Sequence, residues 1–141
     1  MTVVVGLCAH PLIQHLTNLA LDTRDYVVFG SAPMFAHGLT DTIHDLDIVA
    51  RGKVLRLAKT LGRPARGTVT GDPLWRSGAI QFSARWISPE WDTDELIARA
   101  EFIDGIPFAP LADVLRYKQI LRRDKDFEDI ATLTEWLSRA Q

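Results

Sequence analysis

Apolar positions along the chain recur with two different periods. Over residues 10–21 they fall at Leu12, Ile13, Leu16, Leu19 and Ala20, which predicts an amphipathic helix. Tyr26-Val27-Val28-Phe29 is a short β-prone run that stops at Gly30-Ser31. Residues 32–38 predict a short helix, and Leu46-Asp47-Ile48-Val49 returns to strand character. Residues 54–61 put Leu55, Ala58 and Leu61 on one helical side, with Gly62 as the stop. Residues 67–70 and 79–87 read as strands. Asp92-Thr93-Asp94-Glu95 is an acidic helix start running into Leu96-Ile97-Ala98. Asp104-Gly105 is a strong turn signal between strands at 101–103 and 106–108. Helices over 111–122 and 126–139 close the chain. This order predicts one α/β (α+β) domain over residues 1–141, with a small mixed sheet flanked by helices and with C-terminal helices.

Composition narrows the class. The 141 residues are 47% hydrophobic and 24% charged, which is ordinary for a single globular domain. The net charge of −2 provides no global basic field to hold nucleic acid, although a local basic patch would be compatible with it. Cys8 is the only cysteine, so no internal disulfide forms and the reduced cytosol is the expected compartment. No apolar run approaches the roughly 20 residues of a membrane helix, and the first ten residues lack the basic start of a signal peptide. A cytoplasmic protein with no membrane partner is therefore expected.

Two constellations carry chemistry. In the first, a strand ends in Gly30-Ser31 and a helix starts at once. Gly30 permits close approach of a ligand to the backbone, and free N–H groups at a helix start suit a phosphate. Taken alone, the same residues also describe a plain turn with a capping serine and Pro33 in the first helical turn. After a thirteen-residue spacer comes His44-Asp45-Leu46-Asp47-Ile48. Residues i and i+2 of a strand share a face, so Asp45 and Asp47 project together while Leu46 and Ile48 go to the core. A divalent cation between the two acids would relieve their repulsion, and Mg2+ (magnesium) favours such oxygen ligands together with substrate phosphates. An isolated Asp-x-Asp also describes a strand end with two surface acids.

Together, the Gly-Ser turn and the acid-x-acid strand resemble the signature of the nucleotidyltransferase-fold superfamily. The second constellation adds to this. The segment from Gly105 to Lys118 leads into Arg122-Arg123-Asp124-Lys125-Asp126-Phe127-Glu128-Asp129-Ile130. It is similar to the C-terminal part of minimal nucleotidyltransferases and of the AbiEii-type toxin family, where a helix carrying a lysine is followed by a basic turn and a Lys-Asp-x-x-Asp helix start. Lys118 occupies an apolar position in the stripe Leu111, Val114, Leu115, Lys118, Leu121. Its stem can lie along the core while the ammonium reaches a cleft, and Arg122 shares its face. Asp126 reads as the N-cap of the last helix, with Asp129 as its N3 acid. Arg123 and Lys125 read as solvated or as contacts to a polyanion.

The resemblance implies a nucleotidyltransferase-like fold and Mg2+-dependent transfer of a nucleoside monophosphate from an NTP to an acceptor hydroxyl. Asp45 and Asp47 would be the metal ligands. Gly30, Ser31, Lys118 and Arg122 would hold the nucleotide, and Lys118 would also neutralise phosphate charge in catalysis. The acceptor is left as a small molecule, tRNA or a protein. The toxin-like resemblance implies an antitoxin, or a second copy of the chain, as a partner. The chain departs from the family pattern at one place. The third carboxylate expected on a later strand aligns with Gln81, which cannot act as a base; Asp72, in a loop before Pro73, is the nearest substitute. The alternative is a degenerate domain that binds nucleotide or a partner without turnover. His10, His15 and His37 show no ligand spacing with Cys8, so no zinc site is expected. Trp75, Trp86, Trp91 and Trp136 are expected to fill the core or line a cleft rim, with Trp75 and Trp91 in loops.

Overall fold

All four residues of β1 (Tyr26–Phe29) are buried, as befits a strand with apolar side chains on both faces. The computed structural model describes residues 6–67, 71–86 and 91–139. Along the chain follow α1 (Pro11–Asn18), β1, α2 (Ala32–Ala36), β2 (Leu46–Ala50), α3 (Gly52–Leu61), β3 (Arg63–Arg66), β4 (Pro73–Ser77) and β5 (Ile80–Ser83). Then come α4 (Thr93–Ala98), β6 (Glu101–Ile103), β7 (Ile106–Phe108), α5 (Leu111–Leu121), a 3-10 turn (Asp124–Asp126) and α6 (Phe127–Arg139). The strands form one mixed sheet of seven in the order β3-β4-β5-β2-β1-β7-β6. β2 pairs parallel with β5, and β1 pairs parallel with β7; the other neighbours are antiparallel. The architecture is mixed α/β.

Each face of the sheet has its own core. Val28, Leu46, Ile48 and Phe82 point to the side covered by Ile13 and Leu16 of α1 and Val54 and Ala58 of α3. Val27, Phe29 and Val49 point to the other side, covered by Leu96 of α4, Val114 and Tyr117 of α5 and Leu133 of α6. The two-residue period of β1 and β2 thus sorts neighbouring side chains into separate layers.

The sheet is larger than the hydrophobic pattern indicates. β3 and β4 are strands the pattern does not predict; of the strand expected at 67–70, residues 68–70 lie outside those described. β3, Arg-Pro-Ala-Arg, is an edge strand with no buried residue, so it lacks the apolar alternation that marks a strand. Prolines in β3 and at the start of β4 sit where a missing N–H is tolerated, at an edge and at a first strand residue. Trp75 is accordingly in β4, beneath the Lys59 ammonium, rather than in a loop. β5 covers only Ile80–Ser83 of the expected 79–87: Ala79 belongs with Gly78 to the turn from β4, residues 84–86 are not strand, and residue 87 lies outside those described.

Gly30 closes β1 with φ +78°, and a Cβ added there would lie 2.8 Å from Asp47 Oδ2. Gly38 has a similar φ of +77° but open space around it. Both Gly→Ala changes meet the backbone strain of a left-handed residue, of about 1–3 kcal/mol. Gly30→Ala also collides with the carboxylate. We expect it to lower the melting temperature distinctly more than Gly38→Ala in parallel thermal melts; equal losses would show that Asp47 moves aside freely.

Candidate functional site

The central strand carries the acids. Asp45 immediately precedes β2 and Asp47 is its second residue; the intervening Leu46 and the following Ile48 are buried in the α1/α3 core. Both carboxylates therefore line the same cleft as Gly30 and Ser31. The cleft measures about 460 Å³, within the roughly 300–1,000 Å³ usual for small-molecule sites. The sheet register aligns a single row through it: Phe29 stands opposite Asp47, Asp47 beside Gln81, Gln81 opposite Arg76, and Arg76 opposite Arg63. Gln81 thus occupies the strand position next to the acid pair.

Asp47 sits deep in the cleft, although part of its surface meets the cavity. Its carboxyl is pushed up from its ordinary 3.8 to about 6, first by desolvation and then by the charge of Asp45. Lys125, Arg123 and Lys118, in that order, pull the other way. The acid pair is therefore short of positive charge, a shortfall that a cation would remove.

The bend carries less helix than its sequence implies. α2 is only five residues long, so a helix dipole contributes little there, and Ser31 makes no capping hydrogen bond with its side chain. Ser31, expected to cap the helix, lines the cleft.

Lys118 does reach the cleft, but its ammonium is anchored. It is buried, 3.3 Å from Asp126 Oδ1 and 3.1 Å from Asp129 Oδ2. Asp126 also accepts Arg123 Nε at 2.8 Å and the Arg123 backbone N–H at 3.1 Å. Burial alone would raise the Asp126 carboxyl, but the Arg123 hydrogen bonds and the Lys118 charge hold it below the ordinary value. Asp126 stands immediately before α6, as expected, but its carboxylate closes a capping box on the 3-10 turn, with Arg123 in the N-cap position. Asp129 is in the first turn of α6, as expected, and its carboxylate pairs with Lys118. Arg122 is a correction to the expected nucleotide site. It ends α5 in a left-handed conformation, φ +48°, and does not line the cleft. That reversal turns the next residues inward, so Arg123 and Lys125 line the cleft in its place.

Lys125 was legible only as a member of a basic turn. Among the described residues it forms no ion pair, yet it exerts the largest cationic pull on Asp47. Asp72 lines the cleft and pairs with Arg85 at 2.9 Å; it precedes β4, whose register puts Arg76 rather than Asp72 in line with Gln81 and Asp47. Trp86 and Tyr117 form an edge-to-face aromatic wall, centroids 5.1 Å apart, and the buried Trp86 Nε1 has no hydrogen-bond partner among the described residues. Burial first, and the nearby Asp47 charge second, raise the Tyr117 hydroxyl well above its usual range, so Tyr117 stays neutral. His44 lines the rim, whereas His10 caps α1 through Nδ1 at 3.1 Å from the Leu12 N–H.

Among the described residues no group of three or more His, Cys, Asp or Glu is placed to hold a metal ion, and no helix is long and apolar enough to cross a membrane. Two carboxylates short of positive charge do fit a magnesium ion that arrives with polyphosphate oxygens, because that ion takes only one or two protein carboxylates in such sites. Comparison of the chain with protein-family models and with curated proteins finds no match.

Two outcomes follow. The native state retains the Asp47 proton up to about pH 6, while the unfolded chain releases it near 3.8, so this group removes stability as pH rises between those values. Asp47→Asn should therefore stabilise the protein at pH 8, by up to about 3 kcal/mol at about 1.4 kcal/mol per unit. The gain should fade below pH 4 in melts run across that range. Asp126→Ala leaves the Lys118 ammonium buried with one partner fewer. It should cost about 3 kcal/mol in urea unfolding, as removal of one partner of a buried pair does.

Proposed function

We propose that this chain is a nucleotidyltransferase-fold domain that binds an NTP in the cleft and transfers its nucleoside monophosphate to an acceptor hydroxyl. The observation that supports this most is the meeting of the Gly30-Ser31 bend with Asp45 and Asp47 in one cleft. Asp45 and Asp47 would hold magnesium, whose charge, when bound, neutralises phosphate oxygens. Ser31 offers a hydroxyl not used in capping, and Gly30 offers backbone that a ligand can approach. Lys125 is the cation best placed to take the phosphate charge, since Lys118 and Arg123 are held by Asp126 and Asp129. Lys118 still has donor capacity, having three N–H groups and two carboxylate partners. In the reaction, the acceptor oxygen bonds to the α-phosphorus as the bond to the pyrophosphate oxygen breaks. Pyrophosphate leaves, and the hydroxyl proton passes to solvent. The protein's part is positioning and charge complementarity.

Gln81 favours a second reading, nucleotide binding without turnover, because a carboxamide beside Asp47 accepts no proton. Two measurements separate the readings. ATP or GTP with magnesium should raise the melting temperature, since a ligand of the native state stabilises it by mass action; no shift with any NTP would refute both. Pyrophosphate release that disappears in Asp45→Asn supports transfer, whereas a melting shift without any release supports binding alone. Lys125→Ala should weaken the NTP-induced shift more than Arg122→Ala does.

A further inference from the structure

Three aromatic rings pack together at one side of the cleft. Phe29, Trp86 and Tyr117 form a triangle, with centroids 4.8 Å apart for Phe29 and Trp86, 5.1 Å for Trp86 and Tyr117 and 5.8 Å for Phe29 and Tyr117. Tyr117 is only 2% exposed, so its neighbours hold the ring in one orientation. A phenylalanine would fill the same space. The tyrosine adds a hydroxyl, and among the described residues that hydroxyl makes no hydrogen bond. Buried tyrosine hydroxyls usually find a partner, because an unpaired polar group costs free energy when it leaves water. Nor is this hydroxyl sealed in. Among the described residues Trp86 Nε1 is the one unpartnered side-chain nitrogen or oxygen that is fully enclosed. The little surface that Tyr117 keeps therefore includes its hydroxyl, and Tyr117 lines the cleft.

Two neighbours locate the group. Phe29, on which Tyr117 packs, stands directly opposite Asp47 in the sheet, and the Lys118 ammonium lies 5.3 Å from the Tyr117 ring centroid. Tyr117 thus stands between the acid pair and the Lys118 cluster. A tyrosine hydroxyl donates a hydrogen bond without adding charge. Carboxylate oxygens given to a metal are not free to accept it, which leaves the oxygens of a ligand. We propose that Tyr117 is a substrate-binding residue whose hydroxyl donates a hydrogen bond to a phosphate oxygen of the bound nucleotide. This rests on the nucleotide reading above, and it adds a residue that belongs neither to the Gly-Ser turn nor to the acid pair nor to the Lys-Asp-x-x-Asp run. The contact is common to every NTP, because it is made to phosphate and not to the base.

The test is calorimetric titration of ATP, GTP, CTP and UTP, each with magnesium, into wild type, Tyr117→Phe and Tyr26→Phe, with thermal melts of each ligand-free protein. Tyr26 is the other tyrosine of the chain, buried but not lining the cleft. Tyr117→Phe should weaken every NTP that wild type binds by about tenfold or more, the effect of losing a hydrogen bond to a charged oxygen, and by the same factor for each. Without ligand it should melt no lower than wild type, because it removes an unpaired hydroxyl and keeps the ring. Tyr26→Phe should leave the NTP affinities unchanged. Unchanged affinity in Tyr117→Phe would overturn the role of the hydroxyl and leave nucleotide binding standing; joined to a lower ligand-free melting temperature, it would assign the hydroxyl to a bond within the protein. A loss that differs between NTPs would place the hydroxyl at the base and overturn the phosphate contact. An equal loss in Tyr26→Phe would reduce the effect to packing and overturn it too. A wild type that binds no NTP removes the nucleotide reading and this contact together.

Discussion

An acidic side chain at the centre of a sheet is the constraint around which the rest of this molecule is arranged. β2 is flanked by β5 and β1, and the helices that close each face bury its alternate residues. Asp47 occupies a position where Phe29 and Val49, its neighbours on the same face, are in the core. Its carboxylate can be accommodated only because the helical cover is interrupted there and because Gly30 lacks a side chain. The cleft is that interruption. The basic turn after α5 faces it, and the field of that turn reduces, without cancelling, the cost of keeping a charge in so enclosed a place.

The two halves of the site handle charge differently. Around Lys118, two carboxylates and a second cation satisfy one another, and the cluster is close to neutral. Such a cluster gives precise placement more than net field, since the mutual attraction of its members is largely offset by their desolvation. Around Asp45 and Asp47 there is no such balance. Among the described residues Lys125 has no carboxylate partner, whereas Lys118 is held by two and keeps one donor to spare.

Much of this was readable from the residues. Gly30-Ser31 and Asp45-x-Asp47 announced themselves because turn chemistry and strand alternation are local rules that need no tertiary information. The hairpin at Asp104-Gly105 and the position of β1 were legible for the same reason. β3 was not, because an edge strand of Arg-Pro-Ala-Arg is specified by its partner rather than by its own pattern. Helical spacing put Arg122 beside Lys118, but spacing holds only while the helix lasts, and the left-handed residue at its end passes that place to Arg123 and Lys125. The pairing of Lys118 with Asp126 and Asp129 was hidden too, since a Lys-Asp-x-x-Asp run fits a solvated helix cap equally well. The facing arginines emerged only with the strand register.

The reversal at Arg122 has a kinetic corollary. It lets α6 pack back on α5 through contacts between residues close in sequence, so this wall has little chain to close before it forms. The floor, by contrast, joins Gly30, Asp47 and Gln81 across far longer separations, which are slow to come together. The basic wall is thus equipped to form before the acidic floor, as a local helical hairpin.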